Sequence, residues 1–165
     1  MAPPTPESNR PEPAGDQGRR RVLPPTCFLA ALVLMAMLHW LAPLWGPVGL
    51  PWRLLGLVPL AGGLAWAIRA EQFFKRAGTT VKPFERSSRL VTDGPFGFSR
   101  HPMYLGMTLA LAGVALLLGT ATPPVGVVLF GAVISLRFIP AEERAMERTF
   151  GEEYRRYRSR VRRWL

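Results

Sequence analysis

Two long stretches of the chain contain no Lys, Arg, Asp or Glu: Val22 to Trp52 and Pro102 to Leu136. A run of roughly 18 apolar residues is enough to cross the hydrocarbon core of a bilayer. The second stretch is too long for one ordinary span, and "GTATPP" (Gly119 to Pro124) interrupts it, which predicts two helices joined by a tight turn. The first stretch breaks at "APLWGPVGLPW" (Ala42 to Trp52), and a shorter apolar run, Leu54 to Ile68, follows Arg53. Pro59, Gly62 and Gly63 weaken that run, although membrane helices tolerate both residue types because neighbouring groups re-satisfy the backbone. The pattern therefore predicts an all-α, integral-membrane helical bundle with spans at about 26–43, 50–68, 102–119 and 123–140. A re-entrant segment is the alternative for the second span.

Composition alone would point elsewhere. The chain carries 21 Lys and Arg against 11 Asp and Glu in 165 residues, a balance that in a soluble protein indicates nucleic acid. The placement of the charges argues for a membrane instead, with no nucleic-acid partner. Arg19, Arg20 and Arg21 precede the first span, seven basic residues lie between Arg69 and Arg100, and eight between Arg144 and Arg163. The other two connections hold only Arg53. The positive-inside rule then puts both termini and the central loop in the cytoplasm. Trp40, Trp45 and Trp52 gather at the opposite end, as an aromatic belt does. Residues 1–21, rich in Pro, Gly and charge, read as a disordered tail, and 22–165 as one membrane domain. The first apolar run is too long for a cleaved signal peptide. Cys27 has no partner for a disulfide, and His39 and His101 have no metal-ligand spacing to each other or to Cys.

The chemistry-bearing residues fall on the cytoplasmic side. In "DGPFGFSRHPMYLG" (Asp93 to Gly106), Asp93-Gly94-Pro95 is a turn signal, and Pro102 suits the first turn of a helix. His101, Tyr104, Leu105 and Thr108 then share one helix face, beside free backbone N–H groups that favour an anion. An interfacial anchor is the competing reading of the same His and Tyr. Arg137 interrupts an apolar span, where a charge faces a cavity or a partner or snorkels to the interface. Pro140 predicts the start of a new helix, about 141–160, with Glu142 and Glu143 in its first turn, where the macrodipole favours acids. The short turn at 119–124 makes the third and fourth spans antiparallel neighbours. Their cytoplasmic ends should form one pocket lined by His101, Tyr104, Arg137, Glu142 and Glu143. Beyond it, Met146, Phe150, Tyr154 and Tyr157 recur at helical spacing, which predicts packing against the membrane domain, and Gly151 marks a bend. "YRRYRSRVRR" would meet acidic headgroups.

"GTTVKP", "LVTDGPFGFSRHPMYLG" and "EERAMERTFGEEYRRYRSRVRRWL" together resemble the isoprenylcysteine carboxyl methyltransferase family, which is grouped with the phospholipid methyltransferases. The resemblance covers roughly Phe74 to Leu165. It implies an integral-membrane enzyme that uses S-adenosyl-L-methionine to methylate a hydrophobic or lipid-linked acceptor, within membrane lipid. It implies cofactor contacts from His101, Pro102, Met103 and Tyr104, from Ser88, Arg89, Leu90 and Val91, and from Phe96, completed by Glu143 first and Glu142 second. Arg137, a residue or so earlier than the family pattern has it, is the expected substrate-facing Arg, with Arg144 as fallback. The catalytic set is then Arg137, Glu142 and His101. Where the family often has Pro after Val, this chain has Val161-Arg162-Arg163-Trp164.

The cofactor's chemistry agrees with these residue types. Aromatic faces such as Tyr104 and Phe96 suit a sulfonium, a Glu suits the ammonium, and helix-start N–H groups or an Arg suit the carboxylate. A carboxylate acceptor needs alignment and water exclusion rather than a base, whereas an amine or thiol needs His101 or a Glu as base. O-methylation of an isoprenylcysteine-like carboxylate is the favoured reading, with N-methylation of a phospholipid or S-methylation of a thiol as alternatives. A sterol-reductase-like enzyme using a nicotinamide cofactor, and a non-catalytic lipid-binding module, are readings from other classes. The Pro-, Arg- and Ala-rich composition points to a high-GC bacterium, and so to its inner membrane. Gly106, Ala110 and Gly113 form a small-residue stripe that serves helix packing within the chain or between two copies.

Overall fold

The computed structural model describes residues 23–44, 48–76 and 90–165. The tail 1–21, Trp45, the "GTTVKP" motif, Ser88 and Arg89 lie outside the described residues. Those residues are helical without a strand: α1 (Pro24–Leu41), α2 (Leu50–Leu54), α3 (Leu57–Arg76), α4 (Pro95–Phe98), α5 (Pro102–Leu118), α6 (Pro124–Val133) and α7 (Ile139–Arg160), with a π-helical turn over Ile134–Phe138 between the last two. Proline stands in the first positions of every one of these helices except α3. In all of these but α7, which continues a preceding helical turn, its fixed φ is pre-organised and its missing N–H is one the helix would leave unbonded anyway.

Three stretches are long and apolar enough to cross a membrane: Pro24–Leu41, Leu50–Arg76 and Pro124–Arg160. The apolar α5 is a residue or so shorter, at 17 residues, about 26 Å at the helical rise. The outward side chains fit a lipid surround, since Trp40 is 79% and Leu136 81% exposed. Two helices run past the predicted spans. After a break at Leu55–Gly56 the helix that carries the second runs on to Arg76. The helix that carries the fourth runs past 140 into the predicted C-terminal helix. Helix passes through Pro140 without a gap, because the π-helical turn precedes it. A widened turn accommodates both the proline ring and the hydrogen bond that proline cannot donate.

The tightest seam joins α3 to α5. A Cβ placed on Gly63 would lie 2.5 Å from the Gly106 carbonyl oxygen, and one on Gly113 would lie 2.4 Å from the Leu60 nitrogen. The two helices touch backbone to backbone, which only glycine permits. The small-residue stripe of α5 is thus occupied inside the chain. On the other flank of α5, a core of Met35, Leu111, Ile134 and Ile139 is fully buried, and Phe130 and Phe138 close it.

The Gly119 end of α5 is latched by hydrogen bonds. Arg53 donates through Nε to Leu117 O at 2.7 Å, and Thr122 Oγ1 donates to Leu38 O at 3.1 Å. His39 Nδ1 lies 3.0 Å from Thr120 Oγ1. The connection after α1 meets the α5–α6 turn through Val48 N–H to Gly119 O (2.9 Å) and Ala121 N–H to Leu44 O (3.2 Å).

Candidate functional site

The other end of α5 begins with the Asp93-Gly94-Pro95 turn. Gly94 has φ +59° and a Cβ there would meet the Phe73 ring at 2.5 Å, so both the backbone region and the space demand glycine. The turn starts α4, which buries Phe96 against Phe74, ring centroids 5.7 Å apart. Ser99 follows, fully buried. Its hydroxyl accepts the His101 N–H at 3.2 Å and lies 3.0 Å from the Arg163 carbonyl, to which it donates. His101 is the residue before the helix start at Pro102, and its ring stacks on Tyr104, with centroids 5.8 Å apart and 15° between planes.

α7 presents the acidic pair to these two rings. The Tyr104 hydroxyl donates to Glu142 Oε1. His101 Nδ1 lies 3.5 Å from Glu142 Oε2, and Nε2 lies 3.7 Å from Glu143 Oε1. The second distance is beyond hydrogen-bond range, so that attraction is electrostatic. Burial works against a charge on His101, but the Glu142 and Glu143 carboxylates outweigh it and hold its pKa above the ordinary value. The structure therefore brings His101, Tyr104, Glu142 and Glu143 into one cluster. Pro102 is buried beneath it and Met103 half-buried beside it.

Two further members come from residues whose roles the spacing does not disclose. Arg100 donates from one terminal nitrogen to Glu143 Oε1 at 2.8 Å, and from the other to the carbonyls of Arg158 (2.9 Å) and Val161 (2.8 Å). Arg163 donates through Nε to Glu143 Oε1 (3.0 Å) and through a terminal nitrogen to Oε2 (2.7 Å). Glu143 and Arg100 keep only 5% and 8% of their side chains exposed. The signal available for them was thin: Arg100 stands next to His101, and Arg163 is one of eight arginines in that stretch.

Arg137 is not drawn into the cluster. It sits on the π-helical turn, exposed, on the α1 side within electrostatic reach of Cys27. It makes no hydrogen bond or ion pair among the described residues, and neither does Arg144, which is exposed on α7. Phe96 offers the cluster no open face. Its carbonyl accepts the Tyr157 hydroxyl at 2.7 Å, which ties α4 to α7. Leu90 and Thr92 line an open groove of about 580 Å³ with Tyr157 and Val161; Val91 is half-buried next to them.

Three buried side-chain polar atoms among the described residues have no hydrogen-bond partner: Arg100 Nε, His101 Nε2 and Trp66 Nε1. Two of them belong to this cluster. Buried donors are nearly always satisfied, so a pair left over beside a partly exposed acid is the donor set that an anionic group would complete. Glu142, 27% exposed, supplies the complementary negative charge. A zwitterionic amino-acid moiety such as that of S-adenosylmethionine fits these residues, with the aromatic face of Tyr104 at hand for a cation.

The cluster thus lies at one end of a helical bundle with three stretches long and apolar enough to cross a membrane. The family described as phospholipid methyltransferase matches residues 52–153, and the chain belongs to it. It is 46% identical over 63 residues to an uncharacterized protein of Haemophilus influenzae, covering 38% of this chain and 100% of that one. It is 37% identical over 75 residues to the protein-S-isoprenylcysteine O-methyltransferase of Schizosaccharomyces pombe, covering 44% of this chain and 30% of that enzyme. Its fold is shared with the eukaryotic intramembrane Ras methyltransferase, isoprenylcysteine carboxyl methyltransferase, at a TM-score of 0.62 and 19% identity over 86% of this chain. The chain spans 51% of that structure.

Proposed function

We propose that the chain is an S-adenosylmethionine-dependent methyltransferase that modifies a hydrophobic or lipid-attached acceptor at the membrane surface, with a carboxylate of the isoprenylcysteine type as the favoured acceptor. The observation that carries the reading is the union of His101 and Tyr104 with Glu142, flanked by Arg100 Nε and His101 Nε2, which have no hydrogen-bond partner among the described residues. S-adenosylmethionine, when bound, supplies an electrophilic methyl group on a sulfonium. Glu142 would hold its ammonium, and Arg100 and His101 its carboxylate. Tyr104, fixed by its bond to Glu142, would present its ring to the sulfonium. Pro102 and Met103 complete the contact, and Leu90, Val91, Ser88 and Arg89 would line the remainder.

For a carboxylate acceptor the side chains need only align the reactants and exclude water. An amine acceptor would need a proton removed, and the His101–Glu142 pair is the base within reach. Arg137, exposed on the π-helical turn outside the cluster, is the side chain we assign to the acceptor's charge. The methyltransferase unit would run over 22–165. The charge asymmetry supports a cytoplasmic site, both termini on that side, in a bacterial inner membrane.

Calorimetry of the detergent-purified protein with S-adenosylmethionine and with its demethylated product tests the cofactor. Binding of both is expected, and a folded sample that binds neither would sink the proposal. Labelled methyl transfer into a farnesylcysteine analogue, compared with a phospholipid amine, separates the acceptors. Label in the phospholipid alone would replace the favoured acceptor with the second.

A further inference from the structure

Glu142 and Glu143 are adjacent, yet their surroundings differ sharply. Glu143 is 5% exposed, and both its oxygens accept from guanidinium groups: Oε1 from Arg100 and Arg163, Oε2 from Arg163. Glu142 is 27% exposed and binds a phenol and an imidazole. The difference is made by a segment distant in sequence. After α7 the backbone turns extended at Val161. The Arg100 N–H donates to Arg162 O at 3.0 Å, and Ser99 Oγ donates to Arg163 O. Trp164 then packs against the apolar core. Residues 158–164 are thereby strapped across the residues that immediately precede His101, and the strap delivers Arg163 to Glu143 as a fork.

We propose that Arg163 is a positioning residue: it saturates Glu143, so that Glu142 alone of the acidic pair faces the ligand and His101 is held at a fixed distance from one free carboxylate. The proposal rests on the cofactor reading above. An arginine fork fixes a carboxylate in two directions at once, which a lysine, as a point charge, does not. The charged and titratable groups around His101 are Glu142, Glu143 and Tyr104, with Arg100, Arg163 and Tyr154 around Glu143. Removing the Arg163 charge leaves Glu143 with Arg100 as its one guanidinium, and the field at His101 becomes more negative.

The experiment compares Arg163→Gln, Arg163→Lys and Arg162→Gln in the full chain. Arg162 is exposed, and its side chain pairs with nothing among the described residues, so Arg162→Gln makes the same charge change without touching Glu143. Arg163→Gln should weaken binding of the demethylated product about tenfold, Arg163→Lys should restore part of it, and Arg162→Gln should match the wild type. The His101 titration, followed by NMR of ¹³C-labelled histidine with His39→Gln to assign it, should move upward in Arg163→Gln and not in Arg162→Gln. Equal behaviour of the two Gln variants in the titration would overturn the proposal even if the wild type binds the cofactor. A wild type that binds nothing, with the titration shift present, would sink the cofactor reading and leave the positioning role intact.

Discussion

The two ends of α5 face the same physical problem and solve it in opposite ways. Each must join a helix terminus to neighbouring segments at a membrane boundary. At the Gly119 end the bonds run mostly to main-chain carbonyls: Arg53 to Leu117, Thr122 to Leu38, Ala121 to Leu44. At the Pro102 end Ser99 and Arg100 also bond main-chain carbonyls, but there side chains meet side chains as well: Tyr104 with Glu142, Arg100 and Arg163 with Glu143. Bonds to the main chain fasten one terminus and leave no buried side-chain donor over among the described residues. The ionic network at the other terminus keeps unpartnered donors and a partly exposed acid. One end is closed, and the other keeps the donors on which the proposed cofactor reading rests.

The largest expected effect breaks the ionic end. Glu143→Ala strips a carboxylate from two guanidinium groups, one of them nearly buried, and should cost about 3–5 kcal/mol of stability, read as a drop in Tm in detergent. Glu142→Gln and Tyr104→Phe should leave Tm nearly unchanged but weaken cofactor binding by roughly 10- to 100-fold, the size of a lost charged hydrogen bond. Calorimetry checks this, and normal binding by both variants would relocate the site. Gly63→Ala pushes a methyl into the Gly106 carbonyl and should cost about 1–3 kcal/mol at a seam that belongs to neither end. Thr120→Val, at the latched end, should cost about 0.5–1.5 kcal/mol with cofactor affinity unaltered. The smallest effect is pH-dependent. Because the pKa of His101 is raised above 6.5, its charged form contributes stability that is complete below pH 6.5 and is lost as the pH rises through the raised value. Tm should therefore fall on going from mildly acid to alkaline buffer, and His101→Gln should flatten that slope.

Much of this division can be seen in the chain before any coordinates. The charge-free runs, the break at 119–124 and Pro102 as a helix start are written in local sequence. So is the meeting of His101 and Tyr104 with Glu142 and Glu143, because a short turn forces the ends of adjacent helices together. Three things were not legible: two depend on contacts remote in sequence, and one on a local backbone variant. The main partner of α5 is α3 rather than α6, although Gly56 and Gly63 face Gly113 and Gly106 at a shared seven-residue spacing that could have been noticed. The continuity of helix through Pro140 needs the π-helical turn, which has no simple residue signature. Arg163 reaches Glu143 because Gly151, with φ +52° and ψ −118°, redirects α7. The sequence marks that bend, but not where the chain goes after it.

The strap also sets an order of assembly. Its bonds to Ser99 and Arg100 join residues 64 and 58 positions apart, and Glu143 receives its second guanidinium only from Arg163. A nascent chain emerging from the ribosome can insert every apolar helix before the strap exists. The Pro102 end of α5 is therefore completed only after the apolar helices, and an intermediate without the strap carries its acids without the arginine that sorts them.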